Sequence, residues 1–268
     1  MTQKQTSAGS VLLRRSGQAW YLTAAVGQLA FLWMIIAHYG SKTFRGNYAG
    51  WNDKPIIKGY VAHDLAGNIA FGAHVLLAAV ITFGGLLQLI PLIRSRWPAL
   101  HRWNGRVFLV IAYFMALDGI WLTWIRPTYL SIISGVAVTV DGLLIIIFAS
   151  MTWRLAVIRR IDAHRPWAMR TFMVVSGVWF MRVFIMAWAI ITHGAGMSET
   201  LSSPVDVALQ FSAIGVPLAG LEIYLHAQRN DNRVVRYAVA GLILILTGLM
   251  AVGIFGAFVF LWAPFMKL

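Results

Sequence analysis

A chain of 268 residues in which 59% are hydrophobic and only 12% charged has too little polar surface to stay dispersed as a soluble fold, so its main solvent is lipid. The formal net charge of +13 would suggest nucleic acid in a soluble protein. Here the basic residues fall in short stretches between apolar runs, where they orient helices, and nucleic acid is not an expected partner. With no cysteine, disulfides, thiolate metal sites and cysteine-held iron–sulfur clusters are excluded, leaving histidine, carboxylate and methionine as ligands.

Residues 1–18 are polar and basic and read as a cytoplasmic amino-terminal segment. The first apolar run, 20–38, is longer than a signal-peptide core and has no small-residue cleavage site, so it reads as a retained helix at the head of a single transmembrane domain, 19–268. Six more runs follow at 65–93, 107–125, 129–153, 169–192, 205–225 and 237–262, each long enough to cross a hydrocarbon core roughly 30 Å thick. Every run must be helical, because backbone groups cannot stay unpaired in lipid and no alternating barrel pattern is present. The expected fold is an all-α polytopic bundle of about seven transmembrane helices. Lysine and arginine orient it. Fifteen lie at the amino terminus and in the second, fourth and sixth connections, against six on the other side (Lys42, Arg45, Lys54, Lys58, Arg126 and Lys267). The richer side is cytoplasmic, which puts the amino terminus inside and the carboxyl terminus outside. The long outer loop, 39–64, carries Tyr48, Trp51 and Tyr60 and suits an interfacial cap.

A weak repeat stands ahead of the third and fifth runs: PALHRWNGRVF and DAHRPWAMRTF each give a His-Arg pair, a Trp and then an Arg. Both precede helices that run in the same direction, which would let the two copies meet. The stretch from His74 through GGLLQLIPLIRSRWPALHRWNGRVF, the later AHRPWAMRTF, Arg182 and Glu222 resembles the bacterial DUF2306 family of multi-pass membrane proteins over about residues 65–226. The likeness departs from the family at PWAM, where a Trp-Met pair more usually follows His-Arg directly. It implies a bacterial inner membrane and two functional boxes, but no reaction, since the family has none assigned.

The polar groups inside the apolar runs need partners. An arginine at mid-bilayer costs about 2.5–3.5 kcal/mol on insertion scales, so Arg182 is expected to pair with Asp118 or Asp141. His74, inside the second run, requires a hydrogen-bond partner, a metal or a haem. His101, His164 and His226 gather near the cytoplasmic ends, with Glu222 one turn from His226. Three chemistries suit that set. Haem b would use His101 and His164 on iron, with Arg102, Arg106, Arg165 and Arg170 at the propionates and Glu222 as the arginines' carboxylate partner. Zinc would use His101, His164, His226 and Glu222. A quinone or lipid would sit among the arginines beneath Trp97, Trp103 and Trp167. Without any of these, the arginines simply orient helices and the tryptophans line the interface. The favoured expectation is a redox or electron-transfer component binding haem b or quinone near the cytoplasmic side. The alternatives are a metal-dependent membrane hydrolase, or a cofactor-free lipid-binding, transport or assembly subunit, as a homo-oligomer or within a larger membrane complex. The absence of a lysine from the last run before Lys267 excludes a retinal Schiff base there, and no Walker loop, HExxH or nucleophile elbow occurs.

Overall fold

The computed structural model describes residues 8–54, 58–126 and 131–266; Lys4, Lys267 and the first residues of the expected 129–153 helix lie outside these. All regular structure among the described residues is helical, with no strand among them. Helix α1 (Ala8–Ile35) continues through a π-helical turn, Ile36–Gly40, into α2 (Ser41–Phe44), giving one span of 37 residues. It is followed by α3 (Leu65–Leu89), the short α4 (Pro91–Arg96), α5 (Pro98–Trp124), α6 (Ile132–Val157), α7 (Ile161–Val175), α8 (Gly177–Thr192), α9 (Pro204–Arg229) and α10 (Arg233–Gly256).

The boundaries follow local chemistry. Asp64 caps α3 by accepting the Gly67 amide at 2.9 Å, and Pro91 forces Ile90 into an extended conformation that ends it. Proline at the first position starts α4, α5 and α9, where its missing N–H would be unsatisfied anyway. Ser131 with Ser134, and Ser203 with Asp206, form reciprocal capping boxes at α6 and α9.

Among the described residues six helices are long and apolar enough to cross a membrane, and the α7–α8 pair makes a seventh span if taken together. That pair corrects the single helix expected over 169–192: it bends by 57° at Ser176, beside Gly177, a Ser-Gly pair of the kind that kinks helices. A second correction concerns the boxes. Both were expected in loops ahead of their helices, yet His101–Arg106 lies in the first turns of α5 and His164–Arg170 within α7. Likewise α1 begins at Ala8, well before the first apolar run. Apolar runs mark hydrocarbon, and helices continue past it into the polar interface.

Two buried clusters hold the bundle. One joins α1, α8 and α10 through Ala24, Phe31, Phe180, Val183, Met250 and Ile254. The other joins α3, α5, α6 and α7 through Ile81, Phe108, Ala112, Ile145, Ala149 and Val174. Glycine brings helices together where lipid offers no hydrophobic drive for association. A side chain at Gly27 would meet Ile254 and Trp179 within 2.8 Å, and one at Gly85 would press on Phe108 and Phe172. The loop after α2 is pinned by Trp51, which is buried, packs at a tilt on Phe71 with ring centroids 5.8 Å apart and fills the space over Gly72.

Candidate functional site

The two boxes adopt related geometries. In each, the arginine three residues after the tryptophan folds back over its ring: Arg106 over Trp103 at 4.9 Å and Arg170 over Trp167 at 4.8 Å. Box one is locked to α3. The Gln88 amide donates to the His101 carbonyl at 3.0 Å, and the Asn104 amide donates to the Gly84 carbonyl at 2.8 Å. Asn104 comes this close because Gly84 has no side chain. Box two is locked to α6. His164 Nδ1 donates to the Thr152 carbonyl at 2.9 Å; a carbonyl only accepts, so Nδ1 carries a proton, and in the neutral ring the lone pair lies on Nε2. Thr152 and Thr171 exchange a buried hydroxyl hydrogen bond of 2.9 Å directly below. His101 lies within electrostatic reach of His164, Arg94 and Arg102, and its Nδ1 is buried without a hydrogen-bond partner. The two box histidines therefore stand within range of each other's charge.

The remaining candidates separate. Arg170 grips Glu222 of α9 through Nε to Oε1 at 2.6 Å and Nη2 to Oε2 at 2.9 Å, a fork-to-fork pair that occupies both carboxylate oxygens. His226 is exposed on the same helix. Among the described residues no group of three or more His, Asp or Glu side chains is gathered closely enough to hold a metal ion, so His101, His164, His226 and Glu222 do not form the expected zinc set. Arg102 and Arg106 are exposed, as is Arg165, which stands at the mouth of a cavity.

The expected Arg182 ion pair is replaced by other contacts. Asp118 accepts from His74 Nδ1 at 2.8 Å, bridging α3 to α5. Asp141 of α6 is buried against the α7–α8 break, with its Oδ2 close over Gly177 and its Oδ1 lacking a hydrogen-bond partner. Arg182 lies on the other side of α8, with its guanidinium 5.3 Å over the Phe31 ring of α1 and Nη1 donating to the Val178 carbonyl at 2.8 Å. The bend at Ser176 lies between the two: Gly177, the first residue of α8, is against Asp141, and Arg182 is against Phe31.

A feature the sequence did not disclose is a cavity of about 1210 Å³ between α1, α7, α8, α9 and α10. One end is cationic and polar, formed by Arg14, Arg15 and Gln18 of α1, Arg165 of α7 and Tyr224 and Gln228 of α9. From there it runs between apolar walls, past Phe172, Phe180 and Phe184, to Trp188, Ile191 and Leu209 at the far ends of α8 and α9. Tyr224 leans across Gly17, whose missing side chain leaves it room. Pro217 and Gly220 stand in the α9 wall, where Gly220 presents no side chain. Of the box residues only Arg165 and Met169 line this space; His74, His101 and His164 do not. Arg14 and Arg15 had been legible only as orienting charges. Their place on α1, which starts at Ala8, makes them part of the rim.

The family described as Predicted membrane protein (DUF2306) matches residues 71–205, which span half of the chain. The chain belongs to the DUF2306 family. No curated protein and no solved structure matches it. The matched DUF2306 segment contains both boxes, the His74–Asp118 bridge, Asp141 and Arg182, whereas the Arg14–Arg15 rim, most of α9 and all of α10 lie outside it. The family segment therefore supplies only part of the cavity, through α7, α8 and the α3–α4 junction at Leu89, Ile90 and Pro91.

Proposed function

We propose that this DUF2306 protein is a multi-pass component of a bacterial inner membrane that binds a long-chain amphiphile with an anionic head, as a lipid-binding or transport protein. The observation that carries the reading is the union, in one cavity, of an apolar body running along the helices with three arginines at a single end. Apolar walls select a hydrocarbon or isoprenoid tail, and the guanidinium groups of Arg14, Arg15 and Arg165 select a phosphate or carboxylate head by charge-assisted hydrogen bonds. Tyr224 and Gln228 add neutral polar groups at the same level. On this reading the arginine-rich helix ends face the cytoplasm, in keeping with the positive-inside rule. Native mass spectrometry of detergent-purified protein tests it with phosphatidylglycerol and phosphatidylcholine of the same chains. Phosphatidylglycerol retention is expected to exceed that of phosphatidylcholine by tenfold or more, and to fall to parity in the Arg14→Gln, Arg15→Gln, Arg165→Gln triple variant. Equal retention of the two lipids by the wild type rejects head recognition at this rim.

A second reading keeps the redox role, supported by the free Nε2 of His164 and its nearness to His101. An imidazole whose Nδ1–H is held by a carbonyl is oriented to ligate through Nε2, so a haem b bound at the boxes would use this pair, with Arg102 and Arg106 near its propionates. Such a haem would supply one-electron transfer. The purified protein would then show a Soret band that weakens in His164→Ala, and a spectrum without that band excludes haem from the boxes. The hydrolase alternative has no comparable support, because Arg170 holds both oxygens of Glu222.

A further inference from the structure

At the opposite end of the bundle from the Arg14–Arg15 rim, two cations converge on one patch of α1. Arg182 lies over Phe31. One helical turn further along, Lys54 Nζ stands 3.8 Å from Met34 Sδ, donates to the Leu261 carbonyl at 2.8 Å and lies 4.2 Å over the Phe265 ring. Phe31 in turn packs on Trp262 with ring centroids 5.6 Å apart, so the floor between the cations is aromatic and apolar.

No counter-charge for either cation stands among the described residues, where neither Arg182 nor Lys54 makes an ion pair. Among the described residues the charges acting on Lys54 are those of Arg182 and Lys42, with no carboxylate among them. The nearest acid in this region, Asp53, is an exposed side chain bound to Lys42 at 2.6 Å. Burial and the two neighbouring cations push the Lys54 ammonium down to about 8. Arg182 has a hydrogen-bond partner only at Nη1 among the described residues, which leaves the rest of a planar donor fork to meet an acceptor.

We propose that Arg182 and Lys54 form an oxyanion-binding site beneath the outer loop, where a carboxylate, phosphate or sulfate bridges the guanidinium and the ammonium. The site is separate from the amphiphile cavity, shares no lining residue with it, and stands or falls independently of it. An anion between the two groups removes their mutual repulsion and replaces the hydration that both lose on burial. Lys54, on the loop side, is the group an incoming anion meets first. Arg182, fixed by Val178 and Phe31, is the anchor.

The test uses sulfate, whose charge does not change between pH 7 and 9, as the probe in anion-exchanged, detergent-purified protein followed by thermal unfolding. Wild type is expected to gain stability in a saturable manner as sulfate rises, with Lys54→Met weakening apparent sulfate affinity by tenfold or more. Arg182→Gln is expected to abolish the response; if that variant fails to fold, Lys54→Met alone decides. Only protonated Lys54 attracts the anion, so affinity should fall about tenfold from pH 7 to pH 9 as the ammonium is lost above about 8. The other titratable or charged groups in this region are Lys42 with Asp53, His38 against Lys42, and Tyr39 beside Arg182. His38→Gln and Asp53→Asn should leave the pH dependence in place. A response to phosphatidylglycerol but not to sulfate, lost in Lys54→Met, assigns the oxyanion to a lipid head of the outer leaflet. No response to either, or a response unchanged in Lys54→Met, overturns the proposal.

Discussion

Replacing His74 by leucine is expected to destabilise the protein by about 3–5 kcal/mol, the range for stranding one member of a buried pair. His74 Nδ1 is the hydrogen-bond donor to Asp118, and the Asp118 side chain is only 9% exposed against 27% for His74. Without the imidazole this largely buried carboxyl loses its hydrogen-bond partner among the described residues. The opposite replacement, Asp118→Leu, is expected to cost less, about 1–3 kcal/mol, because an imidazole tolerates the loss as a neutral ring and is the more exposed partner. The double replacement, His74→Leu with Asp118→Leu, removes both polar groups and should recover most of the stability lost in His74→Leu. Thermal or denaturant unfolding of the four proteins in one detergent gives the coupling directly. A double variant less stable than His74→Leu would contradict a local pair and point instead to a role for Asp118 with another partner.

This pair also shows what was legible in the sequence. That His74 needed a partner followed from its place inside an apolar run, and so did the need of Arg182 for one. Which acid served which cation did not follow, because it depends on how α8 leaves α7. A bend at Ser176–Gly177 separates Asp141 from Arg182 although both lie at similar distances along their helices. The spans themselves were readable because lipid imposes both a length and a composition. The boxes were readable as a repeat, but their assignment to loops was not correct: polar, basic residues at a membrane interface remain helical when their first turns are capped by proline or packed on a neighbour. The cavity was beyond reach of the sequence, since it arises from the spacing of five helices. Its rim uses arginines that orientation alone already explained.

Gly253→Ala is expected to be the most damaging single-methyl change in the bundle. A side chain there would overlap the Val183 carbonyl oxygen and stand 2.7 Å from Val183 Cγ1 and 2.9 Å from its carbonyl carbon. Two of those three obstacles belong to the backbone of α8, so no rotamer change relieves the clash and the helices must part. Overpacking in a close-packed core typically costs about 1–3 kcal/mol, and a rigid backbone neighbour puts this position at or above the top of that range. The consequence extends beyond stability. Val183 follows Arg182, and α10 continues into the turn that carries Leu261 and Trp262, so parting α8 from α10 also pulls apart the two walls between which Arg182 and Lys54 lie. The same helix provides the control: Gly248 has nothing within 4 Å of where its side chain would stand. Gly248→Ala should be neutral or gain up to about 1 kcal/mol from helix propensity. A large drop in thermal midpoint for Gly253→Ala, with sulfate stabilisation weakened alongside it, would tie the glycine contact to the anion site. Equal midpoints for Gly253→Ala and Gly248→Ala would mean that α8 and α10 do not touch at Val183, and would remove the close contact on which this arrangement of the outer end depends.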